Sequence, residues 1–154
     1  LYRHDGELFD VVVTDAFHDI AIPYHMVTQE FIQLARSHMQ PDGLFTTNVV
    51  DAFTNPRMVK SLMKTLQQEF EYVDVWMDQI PESELRMTFV LSASDRAIQQ
   101  DILRATMGFD RTWFRITVPL RNSGTSLEEL PVFTDDYVPV ERLISSLLLT
   151  AEGL

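Results

Sequence analysis

The run FDVVVT at Phe9–Thr14, with Asp15 directly behind it, most constrains what this chain can fold into. A short, unbroken, valine-rich segment is what a strand buried on both faces looks like, as in a parallel sheet. An acid at its carboxyl end falls on the rim where open α/β sheets bind ligands. Residues 44–50 (LFTTNVV) repeat the pattern, with Asp51 at the end. Between the two runs, Pro23 breaks an irregular stretch and Thr28 reads as a helix N-cap. Phe31, Leu34, Ala35, His38 and Met39 then recur at helical spacing on one face. Pro41-Asp42-Gly43 reads as the stop.

Downstream, Asn55 reads as the cap of a second helix, with Pro56 in its first position. Val59, Leu62, Met63, Leu66 and Phe70 form its buried face. Tyr72–Met77 and residues 85–93 read as strands. Their connection is too short for a crossover, so they should pair antiparallel. Ser94 or Asp95 should begin a short helix reaching about Met107, and residues 113–120 read as an edge strand or extended segment. A polar loop at 121–129, the proline-bracketed PVFTDDYVPV at 131–140 and a last helix over about 140–149 complete the chain. The order predicts an α/β fold: a mostly parallel sheet with a terminal antiparallel strand pair and helices on its faces.

Composition narrows the partners. A chain of 154 residues suits one domain. It has no cysteine, which excludes disulfides, thiolate metal sites and cysteine nucleophiles. No apolar run reaches the ~18 residues of a membrane span. The net charge of −11 disfavours nucleic acid and favours cationic small molecules. His18 and His25 flank Asp15 and Asp19, but their spacing matches no metal motif, so no metal is expected. No Gly-x-Ser-x-Gly elbow is present to anchor a hydrolase triad. The aromatics Phe17 and Phe53 lie on the rim, where such rings either stack on a base or cover a core edge.

FDVVVTD, a loop, a helix and MQPDGLFTTNVV together resemble the second half of a class I methyltransferase-like domain, a Rossmann-like fold. Asp15-Ala16-Phe17-His18-Asp19 with Ile22-Pro23-Tyr24-His25 resembles the spermidine synthase branch, the polyamine aminopropyltransferases. The tail Phe133-Thr134-Asp135-Asp136-Tyr137-Val138-Pro139-Val140 resembles the ending of a bacterial subgroup often fused to a membrane transporter-like region. The first loop departs from the Asp-x-x-Asp-Pro of well-studied spermidine synthases: one residue is inserted, and Ile20 replaces the proline. The family's glycine-rich nucleotide loop and ribose-binding acid lie upstream of the first strand, and this chain has only five glycines and no such cluster. The resemblance thus implies that residues 1–154 are the carboxyl-terminal half of a spermidine synthase-like domain.

The same resemblance implies aminopropyl transfer from decarboxylated S-adenosylmethionine to an amine or polyamine in the intact protein. Asp19 would be the base and amine ligand, and Asp15 a second catalytic acid. Asp15, Ala16 and Phe17 would meet the donor, whose site is incomplete here. Tyr24, His25, Asp135, Asp136 and Tyr137 would line the acceptor. Read from the residues alone, Asp15 and Asp19 serve equally as turn or capping acids, Asp136 as the cap of the final helix, and Asp51 as a solvated loop acid. An S-adenosylmethionine-dependent methyltransferase and a non-catalytic interaction module are the rival readings. This chain alone is expected to be inactive, and to associate with itself or with an amino-terminal half. A cytoplasmic location is expected, with any membrane region lying outside the chain.

Overall fold

The computed structural model describes residues 6–15, 23–79, 86–108 and 110–145. Their strands form one mixed six-stranded sheet in the order β1-β2-β4-β3-β6-β5. The strands are β1 (Phe9–Thr14), β2 (Met39–Ala52), β3 (Tyr72–Met77), β4 (Arg86–Ser94), β5 (Ile102–Arg104) and β6 (Thr112–Arg115). The helices are α1 (Gln29–Arg36), α2 (Arg57–Leu66), α3 (Thr117–Arg121) and α4 (Val140–Leu143).

Only β1 and β2 pair in parallel; the other four pairings are antiparallel. The expectation of a mostly parallel sheet is therefore corrected. Because β4 is antiparallel to both β2 and β3, the strands β1, β2 and β3 all run one way. Periodicity reads this common direction correctly. It does not reveal that β4 slots between β2 and β3 instead of ending the sheet.

Three further departures have local causes. First, α1 ends at Arg36, and β2 runs straight through Pro41-Asp42-Gly43. The register moves from Phe9 opposite Met39 to Val11 opposite Leu44, so β1 advances two residues while β2 advances five. The supposed stop is a bulge. Close approach favours Gly43 there: a Cβ would lie 3.0 Å from the Gln40 carbonyl oxygen and 3.2 Å from that of Phe9, a tight fit against backbone. Second, no helix forms after Ser94. Asp95 instead pairs with Arg36 and accepts the Glu71 N–H. Arg115 takes the carbonyls of Ile98 and Gln100, which a helix would have used internally. Third, Asn55 does not cap α2. Its side-chain oxygen accepts the Thr125 N–H at 2.9 Å.

The cap of α2 is Asp51. Its carboxylate accepts the N–H groups of Met58 (2.8 Å), Val59 (3.0 Å) and Ala52 (2.8 Å), at only 1% exposure. The reading of Asp51 as a solvated loop acid is therefore overturned. Helix α2 is almost wholly buried, including Lys60. The Lys60 ammonium donates to the carbonyls of Arg121 (3.3 Å), Ser123 and Thr125 (2.8 Å). Lys64 does the same for Glu128 (3.1 Å) and Leu130 (2.7 Å). One helix thus fastens the whole 121–130 strap.

The core lies between this helical layer and one face of the sheet, around Phe45, Val49, Met58, Leu62, Met63, Phe89 and Leu91. Along β2, Phe45, Thr47, Val49 and Asp51 are buried, while Leu44, Thr46, Asn48 and Val50 on the other face are half-buried. On β1 that second face carries Val11 and Val13, 52% and 65% exposed. The expected two-sided burial of β1 is not met among the described residues, where β1 is an edge strand.

Two outcomes are expected. Lys60→Met should destabilise the fold by about 1–3 kcal/mol, since it leaves buried carbonyls without a donor. Chemical denaturation measures this, and an unchanged midpoint would contradict the clamp. Burial raises the Asp51 pKa to about 6, against the opposing pull of its N–H donors and Arg57. Between the ordinary carboxylate value and about 6, the folded chain keeps a proton that the unfolded chain has released. This group's contribution to stability is therefore full at low pH and is lost as pH rises through about 6. From pH 4 to 7, the unfolding free energy of Asp51→Asn should gain on that of the parent by on the order of 3 kcal/mol. A constant difference across that range would reject the assignment.

Candidate functional site

The carboxyl ends of β1 and β2 lie side by side because the pair is parallel, and polar groups meet there. Asp15 is exposed just past β1. Its Oδ1 accepts a 3.0 Å hydrogen bond from the Asn48 amide Nδ2 on β2. The other Asn48 atom, Oδ1, is shut off from solvent and has no partner among the described residues. A buried acceptor without a donor is costly unless something completes it. Sequence reading missed Asn48. The available signal was a single amide inside an otherwise apolar or β-branched strand.

Asp19, the expected base, lies outside the described residues, as do Ala16, Phe17 and His18. The described chain resumes at Pro23, and a single 3-10 turn, Tyr24–Met26, presents Tyr24 and His25 to solvent. Their rings meet edge to face at 5.6 Å. Thr28 caps α1 as expected, accepting the Phe31 N–H at 3.3 Å. Phe53, the other rim aromatic, packs in part against the core.

The tail motif docks on the first turn of α1. The Gln29 N–H donates to the Phe133 carbonyl at 2.9 Å, and the Asp135 N–H to the Glu30 carboxylate at 3.0 Å. From the other side, the Thr65 hydroxyl of α2 accepts the Phe133 N–H at 2.9 Å. Reciprocal bonds between Thr134 and Tyr137 close a tight turn with Asp135 and Asp136 exposed at its tip. Asp136 is thus a turn residue. The final helix begins at Val140 behind Pro139, with no side-chain cap, which corrects the capping alternative. Glu30, absent from the sequence reading, joins this acidic group through its bond to Asp135.

The structure therefore brings the tail turn to the helix that follows the Asp15 loop, and it pairs Asp15 with Asn48. Tyr137, whose backbone closes the tail turn, also lines a cavity with Arg57 and Arg142. Chemically, Asp15 and Asn48 offer neighbouring acceptor oxygens, the complement of an N–H donor. Among the described residues, no three His, Asp or Glu side chains gather to hold a metal ion. No helix among them is long and apolar enough to cross a membrane.

Comparison with known proteins bears on the family and the fold. A probable polyamine aminopropyl transferase of Bifidobacterium longum is 22% identical over 151 residues, a match covering 88% of this chain and 34% of the relative. The crystal structure of a probable spermidine synthase from Corynebacterium glutamicum shares the fold, with a TM-score of 0.64 at 19% identity. That match covers 87% of this chain and 51% of the other, so the chain spans about a third to a half of the proteins it resembles. Residues 2–102, from before β1 through the first residue of β5, match the family described as the spermine/spermidine synthase domain. The chain belongs to that family.

Proposed function

We propose that the intact protein transfers an aminopropyl group from decarboxylated S-adenosylmethionine to a cationic amine, with this chain supplying the acceptor side of the site. The observation that carries the reading is the Asp15–Asn48 pair, with its unpartnered amide oxygen, at the carboxyl rim of the parallel strands. Family membership supports it. In this chemistry the amine lone pair attacks the carbon beside the sulfonium. The carbon–sulfur bond breaks, the sulfur leaves as a neutral thioether, and the amine proton passes to a carboxylate. Asp19 is that base. Asp15 and Asn48 orient N–H groups, and Ala16 and Phe17 are assigned to donor binding. Tyr24 and His25 flank the acceptor chain, and the exposed Asp135 and Asp136 add negative field.

The side of β1 that no described strand covers belongs to the same reading. Its valine-rich strand carries no Lys or Pro to discourage pairing, so we assign it to a strand of an amino-terminal half or of a second copy. Without those additional elements, donor affinity should be very low. The location that accords with this activity is cytoplasmic, whether or not a membrane region belongs to the intact protein.

Three measurements test these statements. In the longest form of the protein, Asp19→Asn should lower aminopropyl transfer by ~10²–10⁴-fold, the usual cost of losing a positioned base. Unchanged turnover removes Asp19 from the mechanism. In calorimetry, putrescine should bind more tightly than an uncharged diol of equal length, and more weakly as salt rises. Asn48→Leu should diminish that preference; equal binding of amine and diol by the parent would refute the amine site. Finally, Val11→Lys combined with Val13→Lys should reduce self-association in sedimentation, whereas a parent that is already monomeric at high concentration rules out pairing with a second copy.

A further inference from the structure

A cavity of about 180 Å³ opens between the start of α2, the end of the 121–130 strap and α4. Arg57 and Arg142 both line it, together with Tyr137, Glu129 and the apolar Leu130 and Leu143. The Arg57 Nε is buried and has no hydrogen-bond partner among the described residues. Its nearest buried acid, Asp51, is already held by three backbone N–H groups. Arg142 is exposed on α4 and donates no side-chain hydrogen bond among the described residues.

We propose that this cavity binds a small oxyanion, a phosphate or carboxylate group, between Arg57 and Arg142. A guanidinium is a planar fork of donors suited to two oxygens of one such group, and two forks facing one cavity converge on a single ligand. Among the described residues, Glu129 is the only acid lining the cavity, so the guanidinium groups outnumber it there. Tyr137 adds a hydroxyl donor. The walls are fixed in advance: Lys64 holds the carbonyls of Glu128 and Leu130, and Asp51 holds the first turn of α2 that bears Arg57. A preset cavity spends little of its binding energy on ordering side chains. Leu130 and Leu143 leave room for a short apolar stem behind the anionic head. The site is independent of the amine reading, since it recognises the opposite charge with different residues.

The test is calorimetry on the full chain with inorganic phosphate and with glutarate, at ionic strength held constant by sodium chloride. Saturable binding with Kd on the order of 1 mM is expected for at least one probe. The tighter probe tells whether the natural ligand carries a phosphate or a carboxylate. Arg142→Gln, at an exposed position that should leave the melting temperature unchanged, should weaken binding by about tenfold or more. Arg142→Lys should recover only part of the loss, because an ammonium lacks the fork. Arg57→Gln should also weaken binding, with folding checked by the same melt. Absence of saturable binding by either probe would overturn the proposal. So would affinity that both glutamine variants leave unchanged. Neither probe is an amine, so failure here leaves the aminopropyl reading standing, and the reverse holds as well.

Discussion

The Lys60 ammonium, buried inside the fold and shared among three carbonyl oxygens of the 121–125 strap, is the contact on which the rest of the molecule depends. A buried charge survives only where its donors are satisfied, and its pKa is lowered by the loss of water. Those carbonyls belong to a segment with little regular structure, which would otherwise have to bond to solvent. Lys60 resolves both problems at once. It also makes α2 the organiser of the fold: Asp51 sets where the helix begins, Lys60 and Lys64 set where the strap runs, and Thr65 sets Phe133.

From that arrangement the position of the Asp135–Asp136 turn follows. It is fixed between α2, through Phe133, and α1, through Gln29 and Glu30. An exposed tight turn would ordinarily fray, since its own two backbone bonds are worth little in water. Anchoring on two helices holds the two carboxylates in one place without burying them. Their charge thereby stays exposed, at no cost in desolvating the acids themselves.

The parts of the fold governed by local pattern were legible in the sequence. Phe9–Thr14 and Tyr72–Met77 match their strands residue for residue, and Thr28 caps α1 as its position implied. What was not legible depends on contacts between residues far apart in the chain. Asn55 has the residue type and spacing of a cap, yet Asp51 wins because its carboxylate reaches two helix N–H groups from the end of β2. Pro41-Asp42-Gly43 has the composition of a turn, yet the ladder with β1 carries it through as a bulge. Ser94 and Asp95 look like helix starters, but Arg36 takes the Asp95 carboxylate and Arg115 takes the carbonyls of Ile98 and Gln100. At the site, Asp15 was legible from its strand end. Asn48 was not, because its hydrogen bond to Asp15 joins residues far apart in the chain.

On the proposed amine reading, the unpartnered Asn48 oxygen bears on selectivity. Asn48 sits on the sheet face that also carries Val11, Val13 and Val50, and its unpartnered oxygen is shut off from solvent. An acceptor in weakly polar surroundings interacts more strongly with a donor than the same acceptor in water. With Asp15 hydrogen-bonded beside it, the pair combines a charged acceptor with a neutral one. An ammonium can satisfy both together, giving one N–H to each. A hydroxyl has a single proton and must leave one acceptor unpaired. A methyl group satisfies neither. On the proposed amine reading, discrimination between amines and alcohols would reside in the number of donors that a ligand brings to these two oxygens, and the net charge of −11 would act chiefly to raise the local concentration of cations.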